Sequence, residues 1–259
     1  VRTLHPFTIS NACFVAKPEL GIIPLISIVA HPKNMPFLSM KIFERIRRSN
    51  IERSLNQTYR RRLDARGNTP QGVFWNSKKN QTNRFITLLD LIKGANREAA
   101  HPPRVTIAEI GCGYGALFAL MNSDPTLKDW HYQGVDINPA MIKACIEEYP
   151  GDQSRFYRGS KPREFVDYCL FSGTFNLCPI DDMAAWEAYI LDSLETCWAL
   201  SRRGMAINLL CQDTAFISKR IYYANSDRFI ASATKRFGPT IAVPTQNVKG
   251  DIGFLIAKA

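Results

Sequence analysis

No run in these 259 residues is long enough to cross a bilayer; the longest apolar stretch near the start, GIIPLISIVA over 21–30, is interrupted by Pro24. No two of the seven cysteines stand as CxxC. Cys13, Cys112, Cys145, Cys169, Cys178, Cys197 and Cys211 are odd in number and widely spaced, which signals neither a disulfide framework nor a zinc site and suits a reducing, cytoplasmic setting. Histidine is scarce, with His5, His31, His101 and His131 all in the N-terminal half. Acid is scarce there too: residues 1–104 hold 18 Lys/Arg against 6 Asp/Glu, while 105–259 hold 15 against 17. No repeat or low-complexity tract interrupts the chain.

All of the basic excess is therefore N-terminal, and its densest part is KIFERIRRSNIERSLNQTYRRRLDAR, residues 41–66, opened by Lys41 and closed by Arg66. Ile42, Phe43, Ile46, Ile51, Leu55, Tyr59 and Leu63 fall largely at helical spacing, which predicts one or two amphipathic helices whose other face could hold phosphates. The first forty residues contain five prolines, one acid and no period, and lack both a signal-peptide layout and a transit-peptide helix. Met35 and Met40 stand just ahead of the helical region, so those forty residues are expected to be an over-extended reading frame. The punctuation RGNTPQG places a domain boundary near Gly67 and divides the chain into a basic extension, 1–66, and a domain, 67–259.

Beyond a helix over 81–93, the pattern alternates. Strands over 105–110, 131–136, 155–157, 166–171 and 205–210 are separated by helices over about 116–121, 139–149 and 182–200. A helix over 227–237 and a closing pair, 240–243 with 252–257, end the chain. Such alternation with apolar strands predicts an α/β, doubly wound, Rossmann-like sheet of seven strands, mostly parallel, with an antiparallel C-terminal strand.

Ligands bind such sheets outside the carboxyl ends of the strands. There the chain places IAEIGCGYGALF, with Gly111, Gly113 and Gly115 opening the way for close backbone approach. The glycines alone also satisfy a dinucleotide fingerprint, and Asp136, at the end of the second strand, can accept the hydroxyls of a ribose in either NAD or an adenosyl ligand. Glu109, an acid inside an apolar strand two residues before the turn, suits a positive ligand better than a pyrophosphate.

At these residues the sequence resembles the class I S-adenosylmethionine-dependent methyltransferases, through AEIGCGYGA, the VDIN of 135–138 and the later stretches YCLFSGTFNL and SRRGMAINLL. SGTFN and VFWNSKKNQTNRF further resemble a bacterial methyltransferase group with an SGxFN motif. The likeness runs over about 67–259. It implies S-adenosyl-L-methionine as cofactor, with Gly111, Cys112, Gly113 and Gly115 around its methionine part and Glu109 organising that loop or its amino group. Asp136 is implied on the ribose, Ile137 on adenine, and Ser172 and Gly173 facing cofactor and acceptor. Trp75 and Arg84 match the upstream segment, Arg84 pairing with the cofactor carboxylate or else both packing as a lid. The third-strand position that often carries an acid for the adenine amino group is here RGS, Arg158 to Ser160, which leaves adenine to backbone groups.

A sulfonium methyl is already electrophilic, so alignment and dryness matter more than a base. His131 opens its strand at the end away from the ligand. Asp213, Asn176, Tyr222 and Tyr223 remain as polar candidates on loops after the fourth and fifth strands, with Asp213 the leading base and a cap or surface role the alternative. Asp181 and Asp182 fit a helix cap, Asp167 lies at the wrong strand end, and Cys178 reads as an inert thiol. SGTFN lacks the NPP-type tetrad of amino-methylating enzymes, so a small-molecule or glycan-precursor acceptor is favoured. The alternatives are an RNA methyltransferase using residues 41–66, an NAD(P)-dependent oxidoreductase and a catalytically silent binding module.

Overall fold

Short apolar strands of this kind are stable only when helices cover both faces of the sheet they build. The computed structural model describes residues 37–96 and 104–258. The readings made of residues 1–36, which include His5, Cys13 and His31, and of the linker at 97–103 with His101 lie outside them. In chain order the elements are α1 (Phe37–Arg66), α2 (Lys78–Ala95), β1 (Thr106–Ile110), α3 (Ala116–Ser123), β2 (His131–Asp136), α4 (Pro139–Glu148), β3 (Phe156–Arg158) and β4 (Val166–Phe171). Then come α5 (Met183–Trp198), β5 (Ser201–Leu210), β6 (Phe216–Ser218), β7 (Ile221–Tyr223), α6 (Ser226–Arg236), β8 (Thr240–Pro244) and β9 (Asp251–Ala257). No helix among the described residues is long and apolar enough to cross a membrane.

Seven strands form one sheet in the order β3-β2-β1-β4-β5-β9-β8. The first five are mutually parallel, and β9 runs antiparallel between β5 and β8. The expected C-terminal pair is therefore present, with its second member inside the sheet and its first at the edge. β4 is buried along its whole length, and residues 107–110 of β1 are buried too, which is why both read as apolar runs. Side chains start the helices where the alternation requires it: Asn138 accepts from Ala140 N–H ahead of Pro139, Asp182 from Ala185 N–H and Asn225 from Arg228 N–H. Asp182 is thus the cap that its spacing suggested.

Two features depart from the sequence reading. The β6–β7 hairpin turns through Lys219 and Arg220, both at positive φ (50° and 63°), a geometry usually announced by Asn or Gly and here carried by two long basic residues. The second departure is the domain boundary. α1 is one helix ending at Arg66, but Ile51 and Leu55 are buried in the same core cluster as Trp186 and Phe254, and the compact unit runs Phe43–Ala259. The boundary near Gly67 is corrected accordingly: positions 51, 55 and 59 make an apolar stripe at i, i+4, i+8, which the surrounding arginines mask in composition.

Candidate active site

β1 sits where the strand order reverses, leading to β2 on one side and β4 on the other, so a crevice opens beyond its carboxyl end. The glycine turn fills that place. The Val135 carbonyl accepts from Gly111 N–H (2.7 Å) and Cys112 N–H (3.1 Å), tying the turn to β2. Gly111, Gly113 and Gly115 all hold left-handed φ, at 81°, 55° and 83°. Gly113 N–H then donates to Asp136 Oδ2 at 3.0 Å, and Asn138 N–H donates to Oδ1 at 2.7 Å. One carboxylate thus holds the turn and the start of α4 together.

Beside it lies a cavity lined by Glu109, Gly111, Cys112, Gly113, Asp136, Ile137, Ser172, Gly173 and Trp75, and by Gly159 and Ser160 from the loop after β3. Burial pushes the Asp136 carboxyl up to about 6 against the pull of its two backbone donors. Glu109 is almost wholly buried, and the Tyr132 hydroxyl donates to its Oε2 at 2.5 Å. Burial pushes this carboxyl up to about 8, against the Tyr132 hydrogen bond and with help from the nearby Asp136 charge. The Ser172 hydroxyl is enclosed and has no hydrogen-bond partner.

Gly173, at φ 67°, donates its N–H to Asn208 Oδ1 at 2.7 Å and lies under the Trp75 indole, where an added Cβ would come within 2.3 Å of the ring. Gly173→Ala is therefore expected to cost at least about 1–2 kcal/mol from the left-handed backbone alone, with Trp75 displaced besides. Urea denaturation checks it, and an unchanged midpoint would show that backbone and indole yield freely.

Arg84 is corrected. Its Nε donates to Asp251 Oδ2 at 2.6 Å, both side chains buried, and Asp251 also accepts from Asn208 Nδ2 and Thr245 Oγ1. Parting the two would strand two buried charges, and Arg84 is not among the residues that line the cavity. It instead stacks against Trp75, 4.2 Å from the ring centroid. Gly115 is not among the residues that line the cavity; a Cβ there would come within 2.9 Å of the Tyr149 ring, so its lack of a side chain lets the turn approach α4.

No family model matches the chain. Over 141 residues, 53% of this chain and 84% of the other protein, it is 28% identical to a Mycobacterium tuberculosis protein named as a candidate methyltransferase. A solved S-adenosylmethionine-dependent methyltransferase from Leishmania major superposes with a TM-score of 0.52 at 13% identity, over 77% of this chain and 82% of that one. The fold is that of a class I methyltransferase. An amino pentose methyltransferase from Micromonospora echinaspora, solved with S-adenosylmethionine, superposes with a TM-score of 0.49 at 12% identity, over 68% of this chain and 92% of that one.

Within the methyltransferase fold, the three side chains expected to act in catalysis stand away from the cavity. Asp213 is exposed where the chain leaves β5 for the β6–β7 hairpin, and only its carbonyl is used, by Asn225 Nδ2. Asn176 Oδ1 accepts from Leu210 N–H at 3.1 Å, clamping the loop after β4 to β5. The Tyr222 hydroxyl donates to Glu187 at 2.9 Å, and Tyr223 stacks on Phe216. Cys178 bonds the Ile180 carbonyl, and Asp167 accepts from Thr106 at the amino end of β1.

What sequence reasoning missed is the opposite wall. Leu55, Asn56 and Tyr59 of α1 and Tyr189 and Ser193 of α5 line the cavity of this methyltransferase fold. Tyr59 packs edge-on against Phe74 at 5.4 Å, and burial with the nearby Asp136 charge pushes its phenol upward. The stripe 51, 55, 59 was the available signal. Tyr132, the partner of Glu109, had none beyond its place in β2, two residues short of the position opposite the acid.

Proposed function

We propose that this protein transfers a methyl group from S-adenosylmethionine to a small-molecule acceptor. The single observation that carries the reading is the pair of buried carboxyls, Glu109 and Asp136, the two acids on a cavity whose other walls mix aromatic and aliphatic side chains with neutral polar ones and one cation, Arg48. A dinucleotide pyrophosphate would bring more negative charge beside two acids. A cationic ligand with ribose hydroxyls answers both. The match to the M. tuberculosis candidate methyltransferase supports the same choice.

Bound S-adenosylmethionine would supply an electrophilic methyl on a positive sulfur. Asp136 would accept the ribose hydroxyls with the lone pairs its backbone donors leave free, and Glu109 would lie toward the cationic end. Ile137 would pack on the base, and Ser172 with Gly173, at the end of β4, would face the transferring methyl. Trp75, Tyr59 and Phe175 exclude water from the same space, which strengthens each polar contact. Since Asp213, Asn176 and Tyr222 stand off the cavity, the protein's contribution is alignment and dryness, with the acceptor bringing its own nucleophile.

For the RNA reading, the exposed Arg53, Arg60 and Arg61 of α1 are the test, since Ile51 and Leu55 of the same helix belong to the core. The expected result is no salt-dependent RNA binding at low salt. The cofactor reading is tested by calorimetry with S-adenosylhomocysteine and NADH in parallel. Micromolar binding of the first and none of the second is expected; NADH binding alone would sink it.

A further inference from the structure

Asn56 carries one of two buried side-chain polar atoms, among the described residues, without a hydrogen-bond partner; the other is the Ser172 hydroxyl. Both residues line the cavity, but from opposite walls. Ser172 ends β4 beside the glycine turn, while Asn56 is on α1, a helix held down by several ties. Asn138 Nδ2 donates to the Asn56 carbonyl at 3.3 Å, Arg62 Nε to the Gln71 carbonyl at 2.8 Å, and Arg220 Nη2 to Thr58 Oγ1 at 3.0 Å. A buried amide oxygen left without a donor costs about 1–3 kcal/mol. The missing donor is expected from whatever fills the cavity.

Position narrows the donor. The tie to Asn138 sets Asn56 beside the turn Asp136-Ile137-Asn138, the nucleoside side of the cavity under the reading above, on which this inference rests. Asp136 already serves hydroxyls there. The loop after β3 reaches the cavity through Gly159 and Ser160 and brings no acid. A purine with an exocyclic amino group has one strong donor left to place, and Asn56 Oδ1 is an enclosed acceptor without one. We infer that Asn56 reads the amino group of the adenine, so that the basic N-terminal helix is a specificity element of the cofactor site.

The test compares S-adenosylhomocysteine with S-inosylhomocysteine, in which an acceptor oxygen replaces the amino group, on the full chain by calorimetry. The unaltered protein should bind the adenosyl compound at least about tenfold more tightly, because two acceptors would otherwise face each other. Asn56→Leu should bind the adenosyl compound about tenfold more weakly and lose most of the preference; Asn56→Ala serves as the second variant if leucine overfills the site. A merely structural asparagine would weaken both ligands equally, and a preference that survives in the variants overturns the inference, as does unchanged affinity. Failure of the unaltered protein to bind either compound counts against the cofactor itself, a separate result.

Discussion

Asp136→Ala will abolish measurable binding of S-adenosylhomocysteine while the protein still folds. Two hydroxyl hydrogen bonds to a carboxylate are worth about 1.5–3 kcal/mol each, so the loss is at least about 100-fold. The same side chain accepts from Gly113 and Asn138 N–H, and removing it leaves one buried and one half-buried donor, at a cost of about 1–3 kcal/mol for the buried one. Against that stands the burial of the charge. The folded pKa of about 6 lies above the ordinary 3.8, so the carboxyl favours folding in full below about 3.8 and loses that advantage as pH rises through 6. At neutral pH the ionised group therefore costs the fold on the order of 3 kcal/mol, which the alanine relieves. Cost and relief are of similar size, so thermal denaturation should show a shift of a few degrees beside a lost binding isotherm. A variant that binds with unchanged affinity would remove the ribose role, and with it the strongest argument for an adenosyl ligand.

That residue was legible in the sequence for the same reason Glu109 was. An acid inside or at the end of an apolar run is conspicuous, because an unpaired buried charge is too costly to persist without a purpose. The strands were legible as well, since burial on both faces leaves no room for polar alternation. The far wall was not. Leu55, Asn56 and Tyr59 lie about eighty residues before Asp136 in a segment whose nine basic residues suggest a solvated arm, and nothing local says that its thin apolar stripe closes a cavity. The polar candidates after β4 and β5 failed for a related reason. Spacing shows that Asn176 and Asp213 follow strands at the ligand-facing edge, but not which way the loop turns. Asn176 turns back to cap Leu210 N–H, and Asp213 is left exposed ahead of a hairpin that has no turn signature. The partner that Arg84 has within the protein was not legible either, because Asp251 arrives from the far end of the chain.

Raising the pH from about 5.5 to about 7.5 will tighten binding of the cationic cofactor by as much as about 100-fold, with protons released on binding. The cause is Glu109, whose carboxyl burial pushes up to about 8, so that without ligand it is protonated at neutral pH and its hydrogen bond from Tyr132 joins two uncharged groups. A sulfonium or ammonium close by stabilises the carboxylate and pulls its pKa down. Between the bound and free values each pH unit then contributes about tenfold in affinity. The sign for the unliganded protein is opposite: a carboxyl whose folded pKa exceeds its ordinary 4.5 favours folding in full below 4.5 and loses that advantage as pH rises through 8. Without ligand the protein should therefore lose on the order of 4 kcal/mol of stability across that window from this group. Glu109→Gln separates the two effects, because glutamine keeps the shape and cannot ionise. Its melting temperature should fall less as pH rises, its affinity for the cofactor should drop, and the pH slope of binding should shrink to what Asp136 alone contributes near 6. Calorimetry in buffers of different ionisation enthalpy reads the proton count directly. Binding without proton release, at an affinity flat in pH, would mean that Glu109 stays neutral and only orders the glycine turn. In that case the positive charge of the ligand is met elsewhere, and Asp136 is the one carboxylate left on the cavity to meet it.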